Sequence, residues 1–179
     1  MSTLSKPTMI MHWSVAIFMV WLIGIGFYMA ENHVYPLYAL HKSVGVVAFL
    51  LIIARVVWRL KEGFPKPVSQ YQKHEIALSK VVHWTLLIGT VLMPVSGMVM
   101  SGAGGHGIDV FGLQLLSANP DPANAAKVIP FNADLAKAGN IAHGTVAWIL
   151  VVAIALHVAG ALKHHLFDKD RTLLRMVGK

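Results

Sequence analysis

The stretch "HGTVAWILVVAIALHVAG", His143 to Gly160, is an apolar run with a histidine near each end. In a helix of 3.6 residues per turn, fourteen steps return to within about 40° of the starting face, and at a rise of about 1.5 Å per residue they separate the two imidazoles by about 21 Å. One helix therefore carries two histidine levels on one stripe.

The surrounding chain has the composition of a membrane protein. Of its 179 residues, 56% are hydrophobic and only 13% charged, with a mean hydropathy of +0.62, a balance a water-soluble domain does not reach. A membrane helix needs about 20 mostly apolar residues, and four stretches supply them: about Met9–Ala30, His41–Leu60, Ile76–Met100 and Ile141–Leu162. The first run is longer than the hydrophobic part of a cleavable leader and has no small-residue cleavage site, so it is expected to remain as an anchor. The prediction is a single all-α domain over 1–179, an up-down bundle of four transmembrane helices.

Orientation follows from the cations. With the N-terminus inside, Lys6, Arg55, Arg59, Lys61, Lys66, Lys73, Lys80, Lys163, Lys169, Arg171, Arg175 and Lys179 face the cytoplasm, twelve of the fifteen Lys and Arg residues. Only Lys42, Lys127 and Lys137 fall on the other side, so both termini are expected in the cytoplasm. The net charge of +7 thus reads as a topology signal and not as a nucleic-acid footprint. There is no cysteine, which removes disulfides, thiolate iron–sulfur ligation and covalent c-type haem attachment.

The connections differ in kind. "ENHVYPLYA" is short, with tyrosines suited to the headgroup layer. "KEGFPKPVSQYQKHE" reads as an irregular basic loop. The third, Ser101 to Asn140, is long; it opens with "SGAGGHG", which reads as flexible, and "NPDPANAAKV" is predicted to start a short surface helix capped by Asn119 or Asp121.

The fourteen-residue rule extends to the other spans. His12 is followed by Gly26, His83 by Gly97, and His41 by Arg55. By depth, His41 and His143 form an outer level, and His12, His83 and His157 an inner one. A glycine facing a level without its own histidine makes room for a broad flat ring. Such a pattern serves bis-histidine binding of two haems, a zinc or copper site, or interhelical hydrogen bonds alone. Ionisable groups inside a membrane are costly and mark functional sites. All eight acidic residues lie outside the predicted spans, which argues against a proton-coupled transporter with a buried carboxylate relay. Two haems stacked across the bilayer carry electrons, and Arg55 suits either a haem propionate or the headgroup region.

The pattern resembles the prokaryotic cytochrome b561 family, four-span di-haem b proteins of the bacterial inner membrane related to the cytochrome b subunits of nickel–iron hydrogenases. The residues that carry the resemblance are "MHW" opening span one, "LHKSVG" opening span two, "HG" and "LH" fourteen apart in span four, and the tail "KHHLFDKDRTLLRM". The tail is most similar to the superoxide oxidase branch. The resemblance implies two non-covalent haem b groups, with His12 and His157 binding the cytoplasmic-side one and His41 and His143 the periplasmic-side one, and leaves His83 free. It also implies a ubiquinone site near His83 and His164 at the cytoplasmic end; His164 lies seven residues after His157 and about 20° off its face. The expected activity is electron transfer between a periplasmic one-electron donor, superoxide foremost, and ubiquinone. The alternative is a membrane-anchor cytochrome that relays electrons to or from a partner redox protein. Lys42, beside His41, is expected to steer an anionic donor.

Overall fold

A computed structural model describes residues 4–65 and 67–178 of the chain. Lys66 and Lys179, two of the cations used for orientation, lie outside the described residues. Four helices are long and apolar enough to cross a membrane: α1 Lys6–Glu31, α2 Leu37–Glu62, α3 Lys73–Ala103 and α4 Ala133–Leu166. A short helix α5, Thr172–Met176, closes the chain. The strands β1 Ile108–Val110, β2 Leu113–Leu116, β3 Pro120–Asp121 and β4 Asn124–Val128 form two antiparallel hairpins between α3 and α4.

Each long helix outruns its hydrophobic stretch because its ends carry their own signals. Ser5 accepts from the Thr8 N–H at 3.4 Å, with proline in the first turn of α1. Gln72 and Glu75 form a reciprocal capping box on α3, where Glu75 accepts from the Gln72 N–H at 3.1 Å. The Asn132 side chain accepts from the Leu135 N–H at 2.9 Å, and Asp134 follows in the first turn of α4. The last case corrects the sequence reading. Hydropathy alone leaves the stretch "ADLAKAGN" in the loop, yet it makes the first turns of α4, because a capped helix with alanine-rich turns needs no membrane around it.

Two further expectations for the third connection are overturned. The glycine run is a packed corner: Gly102, Gly104, Gly105 and Gly107 are all buried. Gly105 and Gly107 have φ of +77° and +63°, and a Cβ at either would lie 2.3 Å from the Ile129 carbonyl oxygen or 2.7 Å from that of Leu116. These glycines admit close backbone contact that no other residue could make. Beyond them, Asp121 accepts from the Ala123 N–H at 2.8 Å, an Asx turn that joins β3 to β4 where a capped surface helix was predicted.

The core lies midway along the bundle. Leu150 of α4 and Ile52 of α2, 0% and 1% exposed, are enclosed by Val15, Met19, Ile23, Met93 and Ala147. Gly89 of α3 receives Leu150 so closely that a Cβ there would lie 2.8 Å from Cδ2. Gly139 of α4 sits equally close to the Met100 backbone of α3, so α3 and α4 pack nearly backbone to backbone at the hairpin end.

Candidate functional site: two histidine levels

Helix α4 supplies one histidine to each level. At the hairpin end, the ring of His143 stands 6.3 Å from that of His41 on α2, centre to centre, with the planes at 81°. At the end bearing the termini, His157 stands 6.1 Å from His12 on α1, at 53°. Between the levels lies the buried apolar septum of Leu150 and Ile52. The spacing has a chemical meaning. A metal held between two imidazoles needs bonds of about 2 Å on each side, and the half-width of each ring then places the ring centres about 6 Å apart. Both pairs have the separation that two imidazoles sharing one haem iron would need. His83 of α3 is exposed and its ring centre lies 5.3 Å from that of His157, short of that spacing.

The surroundings set the outer pair's chemistry. His143 Nδ1 lies 2.9 Å from the Met93 carbonyl oxygen and 3.2 Å from Ser96 Oγ. A carbonyl only accepts, so Nδ1 carries the proton and the Nε2 lone pair is left for a metal. His41 Nδ1 is buried with no hydrogen-bond partner among the described residues. An apolar cavity lined by Met19, Ile23, Ala48, Ile52, Met93 and Pro94 opens between these two imidazoles. The glycines fourteen residues from His12 and His83 both lie at the outer level. Gly26 and Gly97 cradle the outer imidazoles: a Cβ at Gly26 would lie 3.3 Å from His41 Cε1, and one at Gly97 3.0 Å from His143 Cε1. At the inner level, Arg55 Nη2 comes to 3.5 Å from His12 Nδ1.

A cap covers the hairpin end beside His41. Lys42 Nζ donates to the carbonyl oxygens of His106 and Gly107, both at 3.3 Å, and to Ser101 Oγ at 3.4 Å. Ser43 Oγ accepts from the Phe111 N–H at 3.1 Å. The lysine expected to steer an anion is thus a peg that ties the hairpin corner to α2 and α3.

At the opposite end the chain folds back after α4. Lys169 adopts φ of +51°, and the reversal brings Asp168 and Asp170 against the bundle. His164 Nδ1 is 2.6 Å from Asp168 Oδ2, and the Tyr71 hydroxyl donates to Asp170. Lys163 Nζ donates to Asp168 at 2.8 Å and to Glu75 at 2.6 Å. The Lys163 hydrogen bond, then that of His164, holds the Asp168 carboxyl below the usual carboxylate range. Burial, then the bond to Asp170, pushes the Tyr71 phenol up. Sequence reasoning named His164 but not Tyr71, Asp168 or Asp170, because partners across a chain reversal have no periodic signal.

Known proteins extend the comparison. A model of the prokaryotic cytochrome b561 family matches residues 3–179. "Cytochrome b561 homolog 2" of Escherichia coli is 33% identical over 175 residues, 94% of this chain and 87% of that protein. "Probable superoxide oxidase CybB" of Yersinia pestis is 29% identical over 140 residues, 78% of this chain and 74% of its own length. "Cytochrome b561 homolog 1" of Escherichia coli is 23% identical over 182 residues, 99% of this chain and 98% of that protein. With four long apolar helices and two metal-spaced imidazole pairs, this multi-pass membrane chain belongs to the prokaryotic cytochrome b561 family, whose members use haem b to pass electrons across the bilayer.

Proposed function

We propose that this chain holds two haem b groups, one between His12 and His157 and one between His41 and His143, and oxidises superoxide with ubiquinone as acceptor. The observation that carries the di-haem reading is the pair of imidazole separations, 6.1 and 6.3 Å, at two levels fourteen residues apart on α4. The haems supply one-electron redox chemistry; the residues supply the rest. His143 presents Nε2 because Met93 holds its Nδ1 proton, the septum of Leu150 and Ile52 keeps water from the path between levels, and Arg55 at the inner level suits a propionate.

Superoxide is supported by the name of the Yersinia relative. On this reading each superoxide gives up one electron at the hairpin end and leaves as dioxygen. Two such electrons, with two protons taken up at the other end, convert ubiquinone to ubiquinol. The cation count supports termini in the cytoplasm of a bacterium and hairpins outside its inner membrane, and on this reading the quinone binds near His83 and His164. A second reading, a cytochrome that passes electrons to a partner redox protein, is favoured by one feature of the cap: Phe111 and Leu113 are 66% and 65% exposed.

The test uses purified protein in detergent under argon. Superoxide added from a potassium superoxide stock is expected to reduce the haem α-bands, and a short-chain ubiquinone to reoxidise them. Reduction no faster than that by an uncharged reductant of similar potential eliminates the superoxide assignment and leaves the partner-protein reading.

A further inference from the structure

His164 is held more tightly than a residue that only lines a pocket requires. It is a half-buried side chain, 18% exposed, on the last turns of α4. Its ring rests 4.3 Å from the Tyr71 ring, centre to centre. The Tyr71 hydroxyl, bonded to Asp170, also lies 3.2 Å from Thr172 Oγ1, so the ring that supports His164 is itself fixed at its far end. The charged and titratable groups around the imidazole are Asp168 and Asp170 from the chain reversal, Tyr71 from the α2–α3 connection and, through Asp168, Lys163 and Glu75.

The 2.6 Å contact with Asp168 determines which nitrogen can exchange a proton. A carboxylate only accepts, so Nδ1 keeps its hydrogen whether the ring is neutral or cationic, and the proton that comes and goes is the one on Nε2. Lys163, itself paired with Glu75 of α3, anchors the carboxylate, which cannot turn away without breaking its ion pair with Lys163. Two acidic residues, Asp168 and Asp170, therefore lie within two contacts of one imidazole, with Glu75 one step further behind Lys163.

We infer that His164 and Asp168 form a proton-donating pair for the electron acceptor at this end of the bundle, His164 giving its Nε2 proton and Asp168 acting as the positioning residue that selects that nitrogen. The inference rests on the quinone reading above. Ubiquinone takes two electrons, arriving singly through the bundle, and two protons. For each proton, the N–H bond at Nε2 breaks, an O–H bond forms at a quinone carbonyl oxygen, and the freed lone pair is reprotonated from water at the bundle's end. Asp168 gains and loses no proton. Tyr71 packs against the ring and takes no part in the transfer.

The experiment reoxidises dithionite-reduced holoprotein with a short-chain ubiquinone in a stopped-flow instrument, in light and in heavy water. His164→Gln is expected to slow reoxidation by about 100-fold, and Asp168→Asn by about 10-fold with a larger solvent isotope effect. Asp168→Glu is expected to return the rate to within about threefold of wild type, with the spectra of both haems unchanged in all three proteins. Tyr71→Phe, which keeps the ring, provides a milder variant expected to lose about threefold. Rates and isotope effects equal to wild type in His164→Gln and Asp168→Asn overturn the inference alone. A wild-type protein that ubiquinone fails to reoxidise overturns the quinone reading and this inference with it.

Discussion

At the scale of single residues, the protein positions imidazoles by removing other side chains. Gly97 and Gly26 lie against the His143 and His41 rings at distances that leave no room for a branched side chain. Gly97→Val is therefore expected to lose the outer haem, lowering the haem-to-protein ratio from two to one in a pyridine haemochrome assay. Gly26→Val should be milder, because its clearance is 3.3 Å against 3.0 Å at Gly97. Two haems retained in Gly97→Val would remove the outer pair from the ligand assignment. The same assay decides the inner level: His12→Ala should lose one haem and His83→Ala none, since only the His12–His157 separation suits a shared iron. The opposite pattern would exchange the roles of His12 and His83.

At the scale of elements, the helix ends govern which groups meet. Lys169 holds a left-handed conformation that costs a residue with a Cβ about 1 kcal/mol relative to glycine, and this reversal carries Asp168 and Asp170 onto His164 and Tyr71. Lys169→Gly should accordingly raise the melting temperature, followed by helical circular dichroism. Lys169→Val should lower it and slow reoxidation by quinone as the dyad loosens. Equal melting of all three proteins would show that the turn does not depend on this backbone angle. The close approach of α3 and α4 belongs to the same scale: it turns a stripe of small residues into a rigid pair of helices carrying both His143 and its Met93 acceptor.

At the scale of the molecule, the cap and the bundle are one structure, and Lys42 joins them. Three hydrogen bonds from one half-buried ammonium make Lys42→Ala destabilising to the cap by about 1.5 kcal/mol, or about a 10-fold faster cleavage of the hairpin segment in limited proteolysis. Cleavage at the wild-type rate would show that the cap stands without its peg. Because Lys42 is engaged, reversing its charge would disturb the cap along with the field. Lys127 and Lys137 are exposed and report the field alone. Lys127→Glu with Lys137→Glu should slow reduction by superoxide and weaken its inhibition by salt, with quinone reoxidation unaltered. Reduction at the wild-type rate would leave these cations no part in drawing the donor.

Much of this architecture follows from the chain's own periodicities. Hydropathy marks the four spans, because the bilayer demands about 20 apolar residues from each helix whatever its neighbours. The fourteen-residue repeat from His143 to His157 is a property of one helix, so both levels were legible before any packing was known. Tertiary structure decided the pairings. Three histidines share the inner depth, and the register of α1 and α3 against α4 sets His12 at 6.1 Å from His157 and His83 at 5.3 Å. It also decided that "SGAGGHG" is a packed corner, since its buried glycines are explained by the Ile129 and Leu116 carbonyls, partners more than eight residues away that no local pattern announces. Lys42 and Asp168 show the same division. Their charges could be counted in the sequence, but a side chain's hydrogen-bond partner depends on which backbone the fold brings within about 3 Å, and chain reversals set that distance.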